Sequence, residues 1–171
     1  MAGARVSANG PQNYATPLSF IAAVQRKFWI SGGFDFDLAA DASNSKAREK
    51  GCYFSEADDS LQQDWRQLEG NLWLNPPFHN IGPWAEKCAR SVDDGPRSGR
   101  RIFFLVPASV GSNWFRDHVW GKARVQFLNG RIHFDPQRPS WGYPKDCMLC
   151  IFGEPPTMNL WQWKLDIPAG M

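Results

Sequence analysis

Asn71-Leu72-Trp73-Leu74 runs straight into Asn75-Pro76-Pro77-Phe78, and the rest of the chain can be read outward from that junction. The first four residues form a short apolar run, which predicts a buried strand. The next four cannot extend it. Pro76 and Pro77 have no N–H for a sheet ladder, and each ring fixes its own φ. The expectation is a stiff, extended turn at the strand tip that projects the Asn75 amide, the Pro76 carbonyl and the Phe78 ring. Acceptors beside a ring suit a flat ligand bearing an amine. The chemistry this suggests is methyl transfer to an exocyclic amine such as adenine N6, whose lone pair is delocalised into the ring. If the Asn75 oxygen and the Pro76 carbonyl each accept one N6–H, the nitrogen is drawn toward tetrahedral geometry. The gain comes from alignment and from acceptors placed where positive charge develops, so no strong base is required. Phe78 would stack on the base, a contact worth ~1–3 kcal/mol. A base inside a duplex must be extruded to reach such a pocket. The plainer alternative is a Pro-rich loop in which Asn75 caps the turn and Phe78 fills a gap.

Upstream, Thr16-Pro17 predicts a helix start, with Thr16 as cap and Phe20, Ile21, Val24 and Phe28 forming one apolar stripe to about Ile30. Phe34 to Ala40 predicts the first strand and its exit. An acidic residue at the carboxyl end of a strand, followed by small residues, is where a doubly wound sheet holds its ligand. Asp37 has that position, with Ala39 and Asp41 after it; the alternative is that Asp37 and Asp41 cap a turn. Cys52-Tyr53-Phe54 predicts a second short strand. Of the acids that follow, Glu56, Asp58 and Asp59, one could hold ribose hydroxyls, or all could form a solvated loop. Downstream, Pro83 to Val92 predicts a helix with Trp84, Cys88 and Val92 on one face. Arg90, Arg97, Arg100 and Arg101 read as a solvated basic cluster, with a DNA-backbone role as the second reading. Ile102 to Val106 predicts a central strand buried on both faces. A helix follows from Ser112 to Val119. Val125 to Leu128, Asn129-Gly130 and Arg131 to Phe134 predict a hairpin. Cys147 to Phe152 predicts another buried strand, on which Cys147 and Cys150 face opposite sides and cannot chelate together. Leu160 to Ile167 predicts an edge strand.

The ordered set resembles a known family. Asn75 to Phe78 looks like the (Asp/Asn/Ser)-Pro-Pro-(Tyr/Phe) signature of amino-group methyltransferases that use S-adenosylmethionine. Several further pieces look like the phage-type DNA N6-adenine methyltransferases (the phage Dam group). They are Ala15-Thr16-Pro17, Phe36 to Ala40, Tyr53-Phe54, Asp58 to Leu61, Gln63-Asp64-Trp65, Leu105 to Ala108, Trp114-Phe115 and Phe127 to Arg131. The resemblance covers roughly residues 13 to 153. It implies a Rossmann-like methyltransferase sandwich, α/β in class, with a mostly parallel sheet and an antiparallel hairpin late in the chain. It implies S-adenosylmethionine as cofactor, with Thr16-Pro17 against its methionine end, Asp37 on its ammonium and Asp64 on its adenine amine. The sequence departs from the family pattern at Leu38, which replaces a proline, and at Asp41-Ala42-Ser43, which stands where Gly-x-Gly is usual.

The chain has 171 residues, ample for one domain. The expected organisation is a flexible arm over residues 1–13 and a single domain over 14–171, with no large separate recognition unit. Basic and aromatic residues interleave late in the chain, where Arg131, Arg138, Trp141 and Lys145 are candidates for contacting double-stranded DNA. A tightly packed surface loop is the competing account. A net charge of +2 and a pI near 8.4 permit a nucleic-acid partner without requiring one. There is no long apolar run and no apolar leader, so a cytoplasmic protein without a membrane partner is expected, and the four cysteines fit a reducing compartment. Nothing in the sequence sets the oligomeric state or the recognition site. The rival functions are cytosine-N4, RNA or protein-glutamine methylation, and a non-catalytic DNA-binding module.

Overall fold

The computed structural model describes residues 15–92, 99–134 and 143–171. The expected arm over residues 1–13, together with Arg97, Arg138 and Trp141, lies outside the described residues.

Strand alternation builds a sheet with two apolar faces. In β3 (Arg101–Pro107), Phe103 and Leu105 enter one core, while Ile102, Phe104 and Val106 enter the other. β2 (Asn71–Leu74) divides in the same way, with Trp73 on the first side and Leu72 and Leu74 on the second. On β5 (Cys147–Phe152), Cys147 lies in the first core and Cys150 in the second, so the two thiols do face apart. With β1 (Phe36–Asp37), β4 (Arg124–Leu128) and β6 (Met158–Trp161), these strands form one six-stranded sheet in the order β1-β2-β3-β5-β4-β6. β5 alone runs against its neighbours, β3 and β4; the other pairings are parallel. The architecture is therefore a mixed α/β sheet, mostly parallel.

Helices cover both faces. α1 (Leu18–Lys27) packs on the first core together with the 3₁₀ turn Trp163–Asp166, and Phe20 meets the rings of Trp73, Trp161 and Trp163. α2 (Gly82–Ser91) and α3 (Asn113–His118) cover the second core. The buried stripe of α2 is Ala85, Cys88 and Ala89, whereas Trp84 and Val92, expected beside Cys88, are only half buried. Close backbone approach requires glycine at Gly153 (φ +89°), where a Cβ would collide with the Arg100 carbonyl. Among the described residues, no helix is long and apolar enough to cross a membrane.

Four expectations need correction. The late hairpin does not form at Asn129-Gly130. Asn129 donates its N–H to the Trp161 carbonyl of β6, and the Gly130 carbonyl accepts from Trp163 Nε1 at 2.9 Å. Residues 131–134 are not a strand; they bury Ile132 and Phe134 in the first core. The antiparallel partner of β4 is β5, reached through a long connection, because the turn's hydrogen-bonding groups are taken by the edge of the sheet. Cys52-Tyr53-Phe54 is likewise not a full strand. It forms one parallel bridge, Tyr53 to Asp37, on the outer edge of β1. Among its described members, the basic cluster is solvated only at Arg90. Arg100 is 4% exposed and donates to the carbonyls of Leu68, Ser91 and Arg66. Arg101 pairs with Glu154 at 2.9 Å and Arg90 with Glu86 at 2.8 Å. Two guanidiniums therefore tie loops to the sheet, since five donors apiece can satisfy several carbonyls at once. Of the expected edge strand over residues 160–167, β6 keeps only Leu160 and Trp161 before the chain turns into the 3₁₀ segment.

Candidate active site

The chain changes its direction of travel across the sheet at β1. From β1 it passes to the outer edge, where Ala47 bridges Phe34 and Tyr53 bridges Asp37. It then crosses to the other side of β1 to make β2. Ligands in open α/β sheets bind in the crevice beyond the carboxyl ends of strands at such a reversal. Asp37 and Asn75 both leave the sheet there. Asp37 is level with Trp73, and the Leu38 N–H reaches the Trp73 carbonyl at 2.8 Å, two residues before Asn75.

Asp37 is 2% exposed. Its Oδ1 accepts from the Ala39 N–H at 3.2 Å and its Oδ2 from the Lys46 N–H at 2.8 Å. Burial pushes its carboxyl up to about 7, against the opposing pull of those two backbone donors and of the Lys46 charge. A carboxylate has about four acceptor positions, so two backbone donors leave capacity for a cation. Such a group is chemically fitted to an ammonium. The loop after it is built by Asp41, not by Gly-x-Gly. Asp41 accepts from the Ser43 N–H and hydroxyl and from Asn44 Nδ2, and these bonds hold its carboxyl below its usual range. That is the turn-capping reading of Asp41.

The catalytic candidate sits on a firm base. Leu74 and Pro76 are buried, Pro77 is exposed, and Asn75 and Phe78 are half buried. Asn75 Nδ2 donates to Thr16 Oγ1 at 3.1 Å. Thr16 is 3% exposed and does not cap α1; the cap position is taken by Pro17, whose carbonyl accepts from Phe20 and Ile21. Phe78 touches both cores and meets Phe134 and Tyr143 edge-on, at centroid distances of 6.0 and 5.4 Å. Those two rings meet each other at 5.7 Å, which closes an aromatic triangle. Edge-to-face pairs of this kind add about 0.5–1.5 kcal/mol each beyond area burial.

The remaining candidates make contacts of their own. Asp64 caps the 3₁₀ turn Trp65–Gln67, and a hydrogen bond from the Arg66 side chain, together with Arg66's backbone N–H, lowers its carboxyl to about 2. It lines a groove of about 520 Å³ against α2 with Leu61, Trp65, Lys87 and Arg90. No residue of β1, β2 or the Asn75 turn lines that groove. Asp58 accepts from the Ser55 N–H and hydroxyl, while Glu56 and Asp59 are exposed. Arg131 and Lys145 are exposed on either side of a pinch where the Tyr143 N–H meets the Ile132 carbonyl at 3.0 Å.

Sequence reasoning missed Phe134, Tyr143 and Lys46. The first two belong to segments read as a hairpin arm and a surface loop, and no local pattern links them to Phe78. The role of Lys46 at Asp37 is carried by a backbone N–H, which side-chain identity does not reveal.

No curated protein matches the chain. A family model described as DNA N-6-adenine-methyltransferase (Dam) matches residues 5–154, and so spans the strand ends, the Asp37 loop and the Asn75 turn. The chain therefore belongs to the Dam family of DNA N6-adenine methyltransferases, enzymes that transfer a methyl group from S-adenosylmethionine to the N6 amine of adenine in DNA.

Proposed function

We propose that Asn75, Pro76, Pro77 and Phe78 receive an adenine extruded from double-stranded DNA, beside a cofactor held by Thr16, Pro17, Asp37, Ala39 and Asp41. The mixed sheet is then a Rossmann-like methyltransferase sandwich, and residues 14–171 act as one domain. The observation that carries this reading is the exit of Asp37 and Asn75 from adjacent parallel strands, at the point where the chain reverses across the sheet. The cofactor supplies an electrophilic methyl group on a sulfonium. The buried Asp37 carboxyl fits its ammonium, and the Ala39 and Lys46 N–H groups keep that carboxyl in place. The Asn75 oxygen and the Pro76 carbonyl accept the two N6–H groups and turn the nitrogen lone pair out of the ring plane. The same oxygens lie where positive charge would grow on N6 as the N6–C bond formed and the sulfonium S–C bond broke, and one of them would hold by hydrogen bond the proton that N6 then gives up to solvent. Phe78, braced edge-on by two rings, is a fixed stacking platform. Asp64, in its groove beside α2, is assigned to the cofactor adenine through the family resemblance.

Extrusion has a direct optical test. A duplex carrying 2-aminopurine at the target adenine should brighten when the enzyme binds, because the base leaves the stack, and less of that emission should be quenched in Phe78→Ala. A duplex that stays dark on saturation with enzyme would remove extrusion from the mechanism.

Arg131 and Lys145 are proposed to contact DNA phosphate; Arg138 and Trp141, on the same connection, are proposed partners in reading it. Arg131→Ala and Lys145→Ala should each weaken duplex binding several-fold and flatten the slope of log K against log salt by about 0.9 per lost phosphate contact. Unchanged affinity and slope at matched salt would take these residues out of the DNA interface.

A further inference from the structure

β4 and β6 run in the same sense as β2 and β3, so Leu128 and Trp161 leave the sheet at the end from which Asn75 projects. There the 3₁₀ turn Trp163–Asp166 is fastened to the Asn129-Gly130 corner. The Asn129 N–H reaches the Trp161 carbonyl at 2.9 Å, and the Trp163 Nε1–H reaches the Gly130 carbonyl at 2.9 Å. Gly130 has a φ of +100°, and a Cβ there would meet Lys164 Cε at 3.3 Å. The Lys164 stem therefore lies against the corner that leads directly into Arg131.

Lys164 is exposed, and no described carboxylate pairs with it, with Arg131 or with Lys145. By contrast, Arg48, Arg66, Arg90, Arg101, Arg116 and Arg124 each pair with an acid. Asp166, the acid nearest to Lys164 in sequence, accepts from Trp161 Nε1 at 2.6 Å. The Lys164 ammonium lies 5.8 Å from the centroid of the Trp163 ring, a contact that places it and supplies no oxygen acceptor. Phe134, whose ring meets Phe78, follows Gly130 by at most about 14 Å of chain. That is less than half a turn of duplex. Resting on the readings of Phe78 as the base platform and Arg131 as a phosphate contact, we propose that Lys164 binds a backbone phosphate of the duplex on the flank of the extruded adenine. The family match ends at residue 154, so this contact comes from a segment outside the matched span. Unpaired cations from three separate segments then share one face, which is the electrostatic footprint of a phosphate backbone.

Lys164→Met keeps the stem against Gly130 and removes the charge, whereas Lys164→Arg keeps the charge. Lys164→Met should weaken duplex binding several-fold and lower the slope of log K against log salt by about 0.9. Lys164→Arg should match the parent in both. Neither should change the affinity for S-adenosylhomocysteine. One neutral methylphosphonate within half a turn of the methylated adenine should cost the parent the same factor and cost Lys164→Met nothing further. The proposal is overturned if Lys164→Met leaves affinity and slope unchanged at matched salt, if Lys164→Arg is as weak as Lys164→Met, or if no phosphate position behaves in that way. A lower melting temperature with an unchanged slope would also overturn it, leaving Lys164 as a packing residue of the Trp163 turn. Arg131→Ala judges the underlying face separately. A lower slope there beside an unchanged one in Lys164→Met defeats this proposal alone; unchanged slopes in both defeat the DNA face itself.

Discussion

Asn75→Ala is expected to abolish methyl transfer, with kcat falling by at least ~10²–10³-fold, while cofactor binding and fold survive. The magnitude is that of deleting one preorganised group aimed at developing charge in a water-poor site. The fold should tolerate the change because Asn75 is only half buried and lies past the last β2 residue. Its amide donates to Thr16, and Leu74 and Pro76 on either side stay packed. The reading separates binding from chemistry, so two measurements are needed. Titration with S-adenosylhomocysteine should give the parent's affinity, and transfer of labelled methyl to DNA should be near background. Retained transfer would place the amine's acceptors elsewhere. Loss of cofactor affinity in parallel would make Asn75 part of the cofactor cradle.

The second large effect concerns Asp37 and pH. Only the ionised carboxyl can pair with the cofactor ammonium, and burial has raised this group to about 7. Below that point, binding must first strip a proton from Asp37. Affinity should therefore fall by up to about tenfold per pH unit as pH drops below 7 and level off above it. Asp37→Asn should lower affinity by about 2–4 kcal/mol, or roughly 30- to 1000-fold, and should erase the slope. Calorimetric titration with S-adenosylmethionine from pH 5.5 to 8.5 reads both quantities. A flat profile in the parent would exclude the pairing. Stability of the empty protein carries the opposite sign. The folded carboxyl titrates above its unfolded value of 3.8, so the native state binds more protons between about 4 and 7. That contribution is fully present below the unfolded value and is lost as pH rises through the folded one. It is on the order of a few kcal/mol. Asp37→Asn should flatten the melting-temperature profile across that window. The two slopes thus oppose each other: the pH that favours the cofactor is the one at which the empty site is least comfortable.

Where physical constraint is local, the residues were enough. The unbroken apolar runs Ile102 to Val106 and Cys147 to Phe152 predicted strands buried on two faces, and the structure has them. Two consecutive prolines after Leu74 could only end a strand, and they put Asn75 and Phe78 at its tip. What lay beyond local reach were choices among partners. Asn129-Gly130 has the chemistry of a tight hairpin, but β6 and Trp163 compete for the same backbone groups, and a distant edge supplies better partners than the next four residues. Thr16 has the chemistry of a helix cap and spends its oxygen on Asn75 instead. Arg100 and Arg101 look like solvent-facing charges until the carbonyls of Arg66, Leu68 and Ser91 meet the first and the Glu154 anion the second. Whether Asp37 is a turn former or a buried, proton-holding carboxyl depended on how deeply its loop is covered, a property of the packed molecule. Periodicity and proline chemistry act over a few residues and survive in any context. Hydrogen-bond partners and burial are settled by competition across the whole chain, and that competition is resolved only when the sheet has closed.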